Sequence, residues 1–368
     1  MSHVFVLGGT GRIGRSITTD LLAHTQADIT ISGRHPDTGQ QMATTLGPRV
    51  SFLQLDLADE VKLAAAIAPA DLVIHCAGPF HDRDARVLKH CIDLRVNYID
   101  VSDHRSFTLK AQAYGQQAQA AGVTAVINTG IFPGLSNSMV RQDVEALDHA
   151  EHIHLSYVVA GTGGAGITIM RTTFLGLLDC FDGWIEGKWQ PVQPYSERET
   201  IHFPAPYGKV NVFWFDVPEA LTLAQAFPVN TVVTKFGSVP EIYNGLTWAI
   251  AHWLPKRWLQ QRPVIEFLSW ASYTTTQITD RWSGTGVAMR SQVQGQRSGR
   301  AAQAVSTLVV EDTAIAAGYG TGSLAQLILA GDLALPGVWT VETCLPPALL
   351  QPVLEDRGVQ IQQTVMFL

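Results

Sequence analysis

Apolar residues, many of them branched, gather in short runs over the first third of the chain, at 3–9, 28–33, 50–56, 71–77, 96–102 and 123–128. Runs of this length bounded by turn residues predict buried strands. The segments between them, such as 61–67, 85–92 and 107–121, are rich in Ala, Leu and Gln and suit crossover helices. This rhythm predicts an α/β fold whose first part is a doubly wound parallel sheet, with six strands complete by about residue 130. Beyond Gly134 the pattern changes. Residues 152–160 and 200–215 alternate as strands do, while 172–184 and 240–253 carry a helical pattern, so a second, mixed α/β region is expected.

The first strand runs directly into Gly8, Gly9, Thr10, Gly11, Arg12, Ile13 and Gly14, and a helical pattern follows. A strand, a glycine turn and a helix in that order make a cradle for a dinucleotide pyrophosphate. Gly9 permits the tight turn, Gly11 lets the backbone approach the phosphates, and Gly14 lets the helix pack close to the sheet. The helix N-terminus supplies N–H donors and a positive dipole end. G-x-G-x-x-G alone is weak evidence, because glycines also mark ordinary turns; its position between a strand and a helix gives it weight.

In this Rossmann arrangement an acidic residue at the end of the second strand selects NAD, and a basic one accommodates the extra phosphate of NADP. Here that strand ends in Ser32, Gly33 and Arg34, while Asp28 lies at its other end. Arg34, with the Ser32 hydroxyl beside it, is therefore expected to hold a 2′-phosphate, which makes NADP(H) the expected cofactor. A solvated arginine on a loop is the plainer alternative. The third strand ends at Asp56 and Leu57, which fit an adenine contact; a helix cap is an equal use of Asp56, and Asp59 suits that role as well. At the end of the fourth strand, Ala77 and Gly78 leave room for a ribose and Pro79 stiffens the turn.

At 368 residues and 40.0 kDa the chain is too long for one typical core. We expect a cofactor domain over 1–134, a substrate and dimerisation domain over 135–330, and a segment 331–368 that returns to the first. The net charge of −7 and the absence of a long basic run argue against nucleic acid and favour a small-molecule partner. Cys76, Cys91, Cys180 and Cys344 lack C-x-x-C spacing, so they are expected to be buried thiols of a reducing compartment. No metal site is expected. With no leader-like start and no apolar stretch of spanning length, a cytoplasmic location is expected.

Five motifs together resemble the saccharopine dehydrogenase-like oxidoreductases: GGTGRIG at 8–14, HCAGPF at 75–80, NYIDVSD at 97–103, NTGIFPGLSN at 128–137 and LPGVWTVETCL at 335–345. The resemblance implies an NAD(P)-binding Rossmann domain with a second α/β domain inserted before a returning C-terminal segment. It also implies that Pro79 and Phe80 line the nicotinamide end, and that Gly130, Pro133 and Gly134 form the turn beneath it. The chain departs from saccharopine-handling relatives at Ile131 and Phe132, where those usually carry an acidic residue. Its candidate cations Arg171, Lys235, Arg281 and Arg290 are also widely scattered in sequence, which argues against saccharopine as substrate. No tyrosine has Lys four residues later, so a short-chain dehydrogenase of the usual type is excluded.

Hydride transfer needs positioning and one proton donor. The polar group leaving the fifth strand, Tyr98, Asp100, Asp103 and His104, is best placed to supply it, with His81 a second source. Each also suits a cap or a surface hydrogen bond. The segment 240–270 is unusual, for it holds Trp248, Trp253, Trp258 and Trp270, four of the nine tryptophans, interrupted by Lys256, Arg257 and Arg262. A substrate lid, a homo-oligomer interface and a peripheral membrane contact all fit it. The net charge of −7 favours the first two. The chain is thus expected to be an NADP(H)-dependent oxidoreductase acting on a C=N, C=O or C=C group of a relatively apolar small molecule. The alternative is a non-catalytic NADP-binding redox sensor.

Overall fold

The computed structural model describes residues 2–163 and 166–368. It divides into two compact units, Met1–Leu135 with Ala314–Val359, and Ser136–Thr313 with Gln360–Leu368.

In the first unit, β1 (His3–Leu7), β2 (Asp28–Gly33), β3 (Val50–Gln54), β4 (Leu72–His75), β5 (Asn97–Asp100) and β6 (Thr124–Ile127) form a parallel sheet with the later strand Gly337–Thr340. The order is Gly337–Thr340, β6, β5, β4, β1, β2, β3. β1 lies in the middle, paired through Val4 with Ile29 on one side and with Leu72 on the other. The strand order therefore reverses at β1, and ligands of such sheets lie at that point outside the carboxyl ends. Phe5, Leu7, Val73, Tyr98, Ala125 and Ile127 share one core with Leu88, Cys91 and Phe107 from the covering helices. Burial on both faces explains why these strands read as continuous apolar runs.

The second unit holds a nine-stranded sheet. Strands His149–Ala160 and Thr231–Val239 pair in parallel at its centre, and the long hairpin Gly286–Arg297 with Arg300–Val310 continues it antiparallel. Glu199–Phe203 and Gly208–Trp214 form a second hairpin at the other side. Helices Ser136–Glu145 and Pro218–Ala226 supply Val140 and Leu223 to a core with Ile153, Leu155 and Val293.

Four expectations need correction. Helix Thr313–Ala330 belongs, from Ala314 onward, to the first unit, so the break lies at 313 and not at 330. This helix is apolar all round, so no polar face in the sequence says where it packs; its Gly318 lets it approach α1 (Arg12–His24) until a Cβ there would stand 3.0 Å from the Ser16 carbonyl carbon. The tail also divides: Gly337–Thr340 pairs with β6, whereas Gln362–Phe367 pairs with Arg300–Val310 in the second unit. The first unit is closed instead by Arg357, whose Nε and Nη2 donate to the two carboxylate oxygens of Asp20 at 2.9 and 2.7 Å. The helical pattern at 172–184 ends at Leu175, and Phe181–Ile185 is a strand paired with Lys188–Val192. Nor are all the thiols buried: Cys91 and Cys344 are, Cys76 is half-buried, and Cys180 is exposed.

Candidate cofactor and active site

The chain leaves β1 through Gly8 at φ +79°, turns on hydrogen bonds from Gly9 N to Val6 O and Gly11 N to Gly8 O, and enters α1 with no side chain capping Gly11. An uncapped helix N-terminus at the carboxyl edge of a sheet suits a phosphate. The glycines divide by what surrounds them. A Cβ at Gly9 would stand 2.7 Å from Ile31 Cβ, and one at Gly14 would stand 2.6 Å from Gly8 O, so both serve packing within the protein. A Cβ at Gly11 would meet only Gly8 O at 3.3 Å. Gly11 is exposed, so its missing side chain matters only to something outside the fold.

Ser32 does not present a solvent-exposed hydroxyl beside Arg34. It is buried, its Oγ accepts the Gly8 N–H at 3.2 Å, and its carbonyl accepts the Thr10 N–H, so it braces the glycine loop from beneath. Thr10 packs its side chain onto Gly33 at the end of β2. Arg34 follows β2 and is exposed, with its backbone carbonyl held by Gln54 Nε2. Arg12 and Ile13 open α1, the first exposed and the second half-buried. Asp59, not Asp56, caps helix Glu60–Ile67, taking the Lys62 N–H at 3.0 Å. Asp56 is exposed and holds a local turn through Ala58 N, with Leu57 half-buried beside it.

At the end of β4, Ala77, Gly78 and Pro79 are half-buried, and Arg83 donates to the Ala77 and Gly78 carbonyls at 3.1 and 3.4 Å, which holds the turn from behind. Phe80 is buried and packs edge-on against His75 and Phe107 with ring centres 5.0 Å apart in each case. Its ring belongs to the core of the first unit. Tyr98 is likewise withdrawn from the proton-donor candidates: it is fully buried, its hydroxyl meets His75 Nδ1 at 3.2 Å, and burial pushes its pKa well up. His75, driven down to about 3 by burial and then by the Arg83 charge, stays neutral.

The other polar candidates meet. His81, after the β4 turn, and His104, after β5, bring their rings to 4.6 Å. His104 Nδ1 accepts from Ser106 N at 3.3 Å and lies 2.8 Å from Ser106 Oγ, so it caps helix Arg105–Gln112; in the neutral ring this leaves the proton on Nε2. Asp103, half-buried beside it, has its carboxyl pushed up to about 6 by burial and by the nearby Asp100 charge. Asp100 is fully buried, and its Oδ1 accepts Ser102 N, Ser102 Oγ and Asn128 N at 3.0, 2.6 and 3.0 Å. Asn128 Nδ2 returns a bond to Ser102 O at 2.9 Å, which fixes the ends of β5 and β6 together. After β6, Gly130 leads into the turn Ile131–Leu135, where Gly134 has φ +132°. Among the described residues no group of three or more His, Cys, Asp or Glu side chains could hold a metal.

In the second unit the scattered cations partly converge. Lys235 and Arg290 lie on the strands flanking His149–Ala160, and both are in register with Ser156. Lys235 Nζ meets Glu199 Oε2 at 3.0 Å and the Glu197 carbonyl at 2.8 Å, so it is neutralised locally. Ser156 Oγ is buried without a hydrogen-bond partner. Arg171 instead pairs with Glu266 at 2.6 Å, and Arg281 is exposed.

Residues 4–126 match the family model described as the saccharopine dehydrogenase NADP binding domain. The first unit thus contains the stretch similar to that NADP-binding domain. The whole chain is similar in fold to apo saccharopine dehydrogenase (L-Glu forming) from Saccharomyces cerevisiae, with 14% identity over 100% of both chains and a TM-score of 0.69. An engineered D-amino acid dehydrogenase bound to NADP+ shares 16% identity over 95% of this chain and 96% of its own, at a TM-score of 0.50. The C. glutamicum DAP dehydrogenase in complex with DAP shares 14% over 96% and 97%, at 0.51. The saccharopine dehydrogenase-like domain takes NADP(H) as its cofactor, and its glycine loop, with Gly11 open and α1 uncapped, fits that group. Domain and fold together support an NADP(H)-dependent oxidoreductase.

Proposed function

We propose that the protein transfers a hydride between NADP(H) and a C=N, C=O or C=C group of a relatively apolar small molecule. The observation that carries this is the half-buried Asp103, with its carboxyl pushed up to about 6, beside His104 at the carboxyl edge of a domain that matches an NADP-binding family. NADPH, when bound, supplies the hydride. Asp103, protonated at mildly acidic pH, delivers a proton to the other end of the reduced double bond. His104, with its Nδ1 held by Ser106, keeps a donor on Nε2 and orients the acceptor. An apolar substrate is supported by Ile131 and Phe132 in the turn after β6, which place no charge there.

The test is NADPH oxidation with a panel of imines, ketones and conjugated alkenes, using the native chain and Asp103→Asn. Turnover with one class, lost in the variant while NADPH still binds, supports the proposal. Tight NADPH binding without turnover of any class would favour a redox sensor.

A further inference from the structure

Helix Ile242–Trp253, the short helix Lys256–Leu259 and helix Arg262–Ser283 leave large apolar side chains in solvent. The Tyr243 hydroxyl lies 2.9 Å from Thr279 Oγ1, so the first turn of one long helix meets the end of the other, and their connection forms a tip at the far end. At and beside that tip Trp253 is 75% exposed, Trp258 51%, Phe267 61% and Trp270 58%. Ile242, Leu246 and Trp253, at positions i, i+4 and i+11, make an exposed stripe along the first helix, and Phe267, Trp270 and Ile278 make one along the second. Soluble chains rarely leave so many large side chains uncovered.

The charges at the tip indicate what covers them. Lys256, Arg257 and Arg262 are all exposed, and no Asp or Glu occurs from 242 to 265. A second copy meeting this face across a two-fold axis would set three cations against three. Lysine is also depleted from the cores of protein interfaces. Tryptophans mixed with lysine and arginine instead match the boundary of an anionic bilayer, with rings at headgroup depth and cations on lipid phosphates. No helix among the described residues is long and apolar enough to cross a membrane, so the contact is a peripheral one.

We propose that the tip formed by Trp253, Lys256, Arg257, Trp258 and Arg262 inserts into the surface of an anionic lipid bilayer. The tip's local charge outweighs the net −7 because charges beyond about 8 Å are largely screened at physiological salt. This proposal stands apart from the reaction.

The test uses the full chain with phosphatidylcholine vesicles, with and without phosphatidylserine, followed by flotation and tryptophan emission. The native chain floats with the serine-containing vesicles and its emission shifts to the blue. Replacing Lys256, Arg257 and Arg262 together by Gln weakens this partitioning about a hundredfold. Trp253→Ser with Trp258→Ser abolishes the shift, while circular dichroism and an unchanged thermal unfolding profile report that each variant is folded. A native chain that stays unbound to both vesicles overturns the proposal. So does a dimer in sedimentation velocity that the Trp double variant dissolves, since a second copy would then cover the face.

Discussion

The glycine turn at 8–14 and the aromatic tip at 253–262 are the two most conspicuous stretches of this sequence, yet they differ in how far local chemistry explains them. The turn's partners are its own backbone and the end of β2, the next strand of the chain: Gly9 meets Ile31, Gly14 meets Gly8, and Ser32 holds Gly8. Its glycine spacing is written in one short window, between a strand and a helix. The tip's rings meet little within the chain, so their partner has to be inferred from exposure and charge, which only the folded structure reveals. A motif defined by backbone geometry can be read from sequence; a surface defined by what it lacks cannot.

Side chains placed in the turn should have the largest effect. Gly11→Val should leave the fold intact, because the protein offers only Gly8 O nearby, and should abolish measurable NADPH binding by filling the pyrophosphate's place. Gly14→Val should instead prevent the first unit from folding, since Gly8 O stands 2.6 Å from the new Cβ. Circular dichroism with a fluorescence titration separates the two. If both variants folded and bound NADPH normally, the turn would be only a turn.

Next in size is Asp103→Asn, expected to lower kcat by about a hundredfold or more while leaving the NADPH Kd unchanged. In the native enzyme the reductive rate should fall as pH rises through about 6, where Asp103 loses its proton, and the variant should lose that limb. An unchanged pH profile would remove Asp103 from the proton path.

A smaller effect falls in the second unit. Asp143, pushed up to about 6 by burial, accepts Ser306 Oγ and N at 2.5 and 3.1 Å and Gln363 Nε2 at 2.9 Å. A raised carboxyl favours the protonated native state. Its contribution is therefore full below the ordinary value of 3.8 and lost as pH rises through about 6. Asp143→Ala should flatten that part of the stability profile and cost about 1–3 kcal/mol in urea unfolding, by leaving the Ser306 donors unpaired.

Much of the first sheet was legible because its strands are buried on both faces and read as unbroken apolar runs. The cradle was legible for the local reason given above. What stayed hidden depends on pairing between distant residues. Nothing near Gly337 says that it will stand beside Thr124, and nothing near Gln362 says that it will join Thr307 in the other sheet. Lys235 and Arg290 are far apart in sequence and come together only through their shared register with Ser156. At the site, Tyr98 and Phe80 sit in strand and turn positions of the right chemistry, but the pleat of β5 turns Tyr98 inward and the turn after β4 seats Phe80 in the core. Asp103, one residue before a helix cap, remains at the edge. The alternation of a four-residue strand such as β5 is too short to show which of its polar neighbours face out.

Selection of NADP(H) by the first unit through a cationic end of β2 is tested most directly by the affinities of NADPH and NADH for the native chain and for Arg34→Ala. The native chain should bind NADPH at least about tenfold more tightly, a difference of ~1.4 kcal/mol. Arg34→Ala should remove that preference while leaving NADH nearly unaffected. Equal affinities in the native chain, or a preference that survives the loss of Arg34, would contradict it.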